Sequence, residues 1–316
     1  MANKKVREIR AGAVAGIFAG LLAGAAATPA FSRAIAVVGD YGWSTLAILP
    51  FLMGFATMLL LGFKEERTLA EGAVATLWSL FFFVLVATGF LLEGAICLLM
   101  ASPIILGVAL FGTMVGFQVH KFILDRRARL QISFGALLLP LGVNFALHEP
   151  TAFEEREVTT TAWLSAPPEE IWPYLENIER LPEPKFWLFR LGVAHPQSAW
   201  TEGDIRHCVL STGDMPERLV VRKPSQELSW RVLKTPPLVN EINPFGRVHA
   251  PHDEGRLVIR TGGWLLKREG GGTRVIARTQ YGHRFGAPLY WNLWTDAVVG
   301  NVHRQVIDEI SDRTGR

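Results

Sequence analysis

The sequence predicts two domains of different class: an α-helical membrane domain over residues 1–148 and a soluble α+β domain over residues 149–316. Charge is the first observation behind this division. The first 148 residues carry 11 Lys/Arg and 7 Asp/Glu, against 21 and 22 in the remainder. Charged residues make up 19% of the whole chain, below the roughly 25% of an ordinary soluble domain. The second observation is a series of apolar runs in the first half, each long enough for a bilayer core about 30 Å thick. The third is a change of period: beyond residue 156 short runs alternate apolar and polar residues, and the chain closes on an amphipathic helical pattern.

About five spans qualify, at residues 12–30, 45–63, 72–92, 103–119 and 130–147. The first is rich in Ala and Gly, which lets neighbouring helices approach closely. Pro103 opens the fourth at a position suited to a first turn. Residues 93–102 are too short to cross alone. They read either as an interfacial or re-entrant piece or as an extension of the fourth helix, with Glu93 at the outer interface.

Orientation follows from basic residues in short loops. Lys4, Lys5, Arg7, Arg10, Lys64, Arg67, Lys121, Arg126, Arg127 and Arg129 fall on one side, and Arg33 alone on the other. The bias places the N-terminus in the cytoplasm and, after five crossings, residues 149–316 in the periplasm or its equivalent. A basic start, an apolar stretch and Ala25-Ala26-Ala27 also fit a cleaved signal peptide over residues 1–27, which would leave the later topology unchanged.

The second half begins with a β-branched run at 156–165. Ser165 or Ala166 can cap a helix whose first turn holds Pro167, Pro168, Glu169 and Glu170. The two acids complement the helix dipole there. Residues 182–201 read as a loose stretch with Phe186, Trp187 and Phe189. Strand-like alternation follows at 204–211, 217–224, 226–234, 256–269 and 273–285. Gly270-Gly271-Gly272 supplies positive-φ positions for a hairpin, and no GK[ST] follows to make it a phosphate loop. A long helix over 288–312 ends the chain, with Trp291, Trp294, Val298, Val302, Val306 and Ile310 as its apolar stripe.

These segments resemble a known family. VTTTAWLSAPPEEIW (158–172), LLKREGGGTRVIARTQY (265–281) and APLYWNLWTDAVVGNVHRQVIDEI (287–310) look like the START-related SRPBCC superfamily, which includes polyketide cyclase/dehydrase and lipid-transport proteins. The resemblance covers residues 155–313, and its motifs speak to fold more than to chemistry. It implies a helix-grip domain, a curved antiparallel sheet around the C-terminal helix with an apolar cavity between them. It also implies a lipid, isoprenoid, quinone-like or polyketide-like ligand. The chain departs from soluble members in its membrane half and in a long insertion at 235–255.

The alternation assigns an inner face of His207, Val209, Leu228, Trp230, Leu257, Ile259, Thr279 and Tyr281, facing Trp291, Trp294 and Val298 of the helix. The candidate ligand-binding residues are accordingly His207, Trp230, Thr279, Tyr281, Trp291, Trp294 and Val298. His207 is also the candidate general acid or base, although no Ser/His/Asp or Cys/His arrangement accompanies it. His249 and His252 in the Pro-rich insertion are candidate zinc ligands without a helix to hold them, and the insertion also reads as a lip over the cup. Two cysteines exclude a disulfide scaffold, and the small dispersed positive charge gives no reason to expect nucleic acid. No cofactor is expected.

The functional expectation is membrane-anchored binding or transfer of a hydrophobic small molecule, with membrane lipids as surroundings. Two other classes stay open. One is an aromatase/cyclase-like or hydrolytic enzyme using Tyr281, Thr279 and His207 as polar guides. The other is an assembly subunit docking a membrane-protein partner.

Overall fold

The computed structural model describes residues 2–26, 44–62, 65–89, 94–124, 152–241, 243–244 and 255–315. The chain divides into two compact units, Met1–Glu149 with Asn243–Ala250, and Pro150–Ile242 with Pro251–Arg316.

The described part of the first unit is helical: α1 (Ala2–Ala26), a short π-helical turn (Ser44–Ile48) running into α2 (Leu49–Gly62), α3 (Leu69–Gly89) and α4 (Ala95–Leu124). Small residues let these helices meet backbone to backbone. A β-carbon on Gly16 of α1 would fall on the carbonyl oxygen of Ser79 in α3, and one on Gly112 of α4 would fall on that of Phe51 in α2. Thr76 and Thr113 hydrogen-bond between α3 and α4 at 2.7 Å in the buried seam. Apolar residues lie on both sides of the helices: Met53, Met58, Leu61 and Phe83 are buried together with the hydroxyls of Thr57, Thr76, Ser79 and Thr113, and Phe18, Leu52, Leu77, Phe81, Leu85 and Phe111 lie outside.

Two helices among the described residues, Leu69–Gly89 and Ala95–Phe122, are long and apolar enough to cross a bilayer. That is fewer than the five spans expected. The run at 130–147, and Glu93, lie outside the described residues. Residues 95–102 are the first turns of α4, so they form an extension of the fourth helix and not a separate re-entrant piece. Pro103 therefore sits inside that helix and not at its start.

The second unit contains β1 (Glu154–Leu164), α5 (Pro168–Glu176), α6 (Trp187–Leu191), β2 (Pro196–Glu202), β3 (Ile205–Leu210), β4 (Gly213–Lys223), β5 (Glu227–Val232), β6 (Leu257–Glu269), β7 (Gly272–His283) and α7 (Pro288–Thr314). Its seven strands form one antiparallel sheet in the order β1-β7-β6-β5-β4-β3-β2. α7 packs chiefly on β1, with lesser contacts to α5 and β7, the helix-grip arrangement. Gly270 and Gly271 make the β6–β7 hairpin at φ 59° and 83°, a left-handed pair that only glycine adopts without strain.

Two local expectations are corrected. Pro167 holds the cap position of α5 without a side-chain cap bond, so neither Ser165 nor Ala166 caps it. Residues 196–202, read as loose chain, are β2, whose single strong apolar–polar alternation is broken by the shift in pairing between Pro196 and Ser198.

The larger core cluster gathers Leu164, Ile171, Trp172, Leu175, Leu228, Trp230, Trp264, Leu266, Val275 and Ile310. A smaller one joins Leu257, Tyr281 and Val299. Between them the contact of helix and sheet is polar.

Candidate functional site

Phase decides what enters the cup. On β3 the buried residues are Arg206 and Cys208, and on β4 Met215 and Glu217. His207 points the other way. It stacks on Trp200, itself 45% exposed, with ring centroids 5.2 Å apart, and its Nδ1 lies 3.0 Å from Asp214 Oδ2. The predicted inner face was one residue out of phase on this strand, and with a period of two that error turns every side chain over. His207 is therefore corrected from inner to outer face, and Val209 with it.

Arg206 and Glu217 are direct partners across β3 and β4. Arg206 Nη1 donates to Glu217 Oε2 at 2.5 Å, with side chains 6% and 1% exposed. The guanidinium also lies 4.7 Å from the Trp230 ring. Burial pushes the Glu217 carboxyl above the ordinary carboxylate range. Burial works against the charge of Arg206, but Glu217 beside it prevails and keeps the guanidinium charged. Burial, then the Glu217 charge, push the Cys208 thiol up to about 12, so it is not a thiolate nucleophile. Arg206 Nε is buried without a hydrogen-bond partner, as are Thr212 Oγ1 and Gln305 Oε1. Trp230 keeps its inward place because Gly262 faces it on β6: a β-carbon there would come within 2.7 Å of the indole.

Three polar rungs tie α7 to β1 and β7. Arg156 Nη2 and the Tyr281 hydroxyl each donate to the Asp296 carboxylate at 2.6 Å. His303 sits between two hydroxyls, Nδ1 2.9 Å from Thr160 and Nε2 2.8 Å from Thr279. The backbone N–H of Phe285 donates to His283 Nδ1, so Nε2 carries the proton and donates to Asn292 Oδ1 at 2.5 Å. Asn292 Nδ2 in turn donates to Glu154 at 2.8 Å.

The surroundings shift these groups as expected. Burial, and then the nearby Arg304 charge, lower His303 to about 4. Burial would raise Asp296, but the bonds from Arg156 and Tyr281 hold it below its usual value. Burial and then the Asp296 bond push the Tyr281 phenol upward.

Thr279 and Tyr281 do face inward, as predicted, but both are engaged with α7. On the helix, the residues meeting the strands are Asn292, Asp296, Val299 and His303. The predicted stripe of Trp291, Trp294 and Val298 is half-buried and displaced around the helix. At about 100° per residue Trp294 lies half a turn from His303, and its ring meets Trp187 and Tyr290. Trp291 meets Phe285 and Tyr290.

Gly300 departs from close packing. It is buried on α7 between Asp296 and His303, yet a β-carbon built there meets nothing beyond its own helix backbone within 4 Å. A buried position with no neighbour for its side chain borders unfilled space.

His249 and His252 lie outside the described residues. No cluster of three or more His, Cys, Asp or Glu suited to a metal occurs among the described residues. Arg206, Glu217, Asp296 and His303 were missed in the sequence. A charged residue in a strand gives no sign of which face it takes; only the strict repeat of apolar neighbours could have indicated it.

No protein-family model matches the chain, and no curated protein matches it. Solved structures resemble its C-terminal half. Norcoclaurine synthase from Thalictrum flavum is 11% identical, with 52% of this chain and 97% of that one covered and a TM-score of 0.32. The di-domain ARO/CYC StfQ of the steffimycin biosynthetic pathway is 11% identical over 51% of each chain, with a TM-score of 0.34. Protein MLL2253 from Mesorhizobium loti is 15% identical, over 50% of this chain and 98% of that one, with a TM-score of 0.28. These are similarities of fold, and no functional reading rests on them.

Proposed function

We propose that the chain is a membrane-anchored protein whose second unit binds or transfers a hydrophobic small molecule of the lipid, isoprenoid or quinone-like class. The first half crosses the bilayer about five times, with the N-terminus cytoplasmic and the second unit extracytoplasmic. Support for the anchor comes from two helices long and apolar enough to cross a bilayer and from the bulky apolar residues on their outer faces. The basic bias of the loops supports the orientation.

The unfilled space beside buried Gly300 carries the binding reading. A domain that needed only stability would place alanine in a mid-helix position with room for it, since glycine there costs about 1 kcal/mol. Arg206 supplies the polar end: a buried cation with an unused Nε donor suits a carbonyl or acidic oxygen on an otherwise apolar ligand. Each methylene buried would contribute about 0.8 kcal/mol. The enzymatic alternative finds less support, because Thr279 and Tyr281 are already hydrogen-bonded to α7 and His207 is on the opposite face.

Solvent extraction of the detergent-purified full chain, followed by mass spectrometry, tests the reading. A stoichiometric apolar compound is expected, above the background of annular lipid found with an unrelated membrane protein. A chain carrying only annular lipid would sink it.

A further inference from the structure

The first turns of α7 carry the most exposed large apolar side chains described. Leu289 is 84% exposed and Leu293 72%. They are one helical turn apart, so they share a face. Pro288 opens the helix after Ala287, which holds φ 54°. Around them the half-buried rings of Tyr290 and Trp294 and the exposed Trp187 of α6 form a continuous aromatic group. Arg284 and Arg190 are exposed, on the approach to α7 and on α6.

This tip has a fixed place in the second unit. Glu154, the first residue of β1, pairs with His283 at the end of β7 and accepts a hydrogen bond from Asn292, one turn beyond Leu289. Phe153 lies beneath the guanidiniums of Arg260 and Arg284, at 5.0 and 5.5 Å. The chain coming from its apolar first half therefore enters the second unit at the same end that bears Leu289 and Leu293.

We propose that this tip inserts into the bilayer interface, with Leu289 and Leu293 reaching the acyl region and Trp187, Tyr290 and Trp294 lying at headgroup level. The inference rests on the membrane-anchored reading above. A solvated leucine pair would be an unusual expense of apolar surface at one end of a domain. Leucines ringed by Trp and Tyr and flanked by arginines match the composition of interfacial anchors. The arginines complement anionic headgroups. Docking there would hold the unit at the surface that its apolar ligand must leave or enter.

The test uses the full chain in proteoliposomes of phosphatidylethanolamine and phosphatidylglycerol. Cys97 is replaced by alanine, and Cys208 is retained because it is buried. A nitroxide is attached singly at Leu289→Cys, at Leu293→Cys or, as control, at Val220→Cys, a 66% exposed site on β4. At 289 and 293, collisions with oxygen are expected to exceed those with a polar nickel chelate several-fold, and at 220 the order reverses. Labels at 289 and 293 as aqueous as that at 220 would overturn the proposal. Labels shielded from both reagents would also overturn it, assigning the tip to a protein surface such as a second copy. Resistance of the same samples to alkaline carbonate extraction separates the two levels. An extractable chain refutes the membrane anchor itself, whereas an unextractable chain with aqueous labels refutes only the docking tip.

Discussion

Gly300 offers the sharpest test of the interior. At this buried position on α7 nothing beyond the local helix backbone lies within 4 Å of the site of a β-carbon. Gly300→Ala should therefore stabilise the protein. Helix propensity alone gives about 1 kcal/mol, and burying the new methyl adds up to about 0.8 kcal/mol. For a unit of this size each kcal/mol raises the midpoint of thermal unfolding by about 2–4 °C. Gly300→Leu puts four carbons into the same space. If a ligand chain lies there, losing three or four methylene sites costs it roughly 3 kcal/mol, about a hundredfold in affinity. Near-UV circular dichroism of the detergent-purified chain reads the unfolding midpoint, and native mass spectrometry reads the bound fraction. The expected pair of results is a more stable alanine variant and a folded, ligand-poor leucine variant. Destabilisation by alanine would show that the space does not exist, and undiminished occupancy in the leucine variant would show that the ligand lies elsewhere.

Other predictions follow from the same geometry. His303 is held neutral with a value of about 4, below that of an unfolded histidine near 6.5. Its depressed value means the unfolded chain binds the extra proton first. The stability it contributes is complete above pH 6.5 and is lost as pH falls toward 4. That loss is about 3 kcal/mol, and His303→Gln should flatten this part of a stability–pH curve measured by urea denaturation. Gly262→Val drives its side chain into Trp230. It should cost about 1–3 kcal/mol, with a change in tryptophan fluorescence that Gly263→Ala, whose β-carbon meets the Leu228 carbonyl oxygen and Ser229 Cβ and no indole, does not reproduce. Arg206→Met combined with Glu217→Gln, which leaves no unpaired buried charge, should strip the ligand from the folded protein while His207→Ala leaves occupancy unchanged. The reverse outcome would restore the histidine to the cup.

How much of the site was legible depended on which signal each element carried. The β6–β7 hairpin was readable because a Gly-Gly pair has few other uses between alternating runs. The closing helix was readable in extent, Pro288–Thr314 against an expected 288–312, but not in rotation. Apolar residues occur on more than one side of it, and the sequence favoured the tryptophans. The structure instead turns Asn292, Asp296 and His303 toward the strands, because Glu154, Arg156, Thr160, Thr279 and Tyr281 wait there with complementary groups. β3 failed for a similar reason: in IRHCVL, polar and apolar residues do not alternate cleanly, so either face is admissible until Glu217 arrives opposite Arg206.

By itself, then, the sequence determined the two-part division, the apolar first half and the order of strands and helices in the second apart from α6 and β2. Each follows from local quantities, namely charge density, run length and period. Only the tertiary structure decided that Arg206 and Glu217 share the interior, that His207 is turned outward and that Gly300 borders empty space. Those facts depend on pairings between residues far apart in the chain. A buried charge is tolerable only when another strand brings its partner, and whether space stays open beside a helix depends on where distant side chains end.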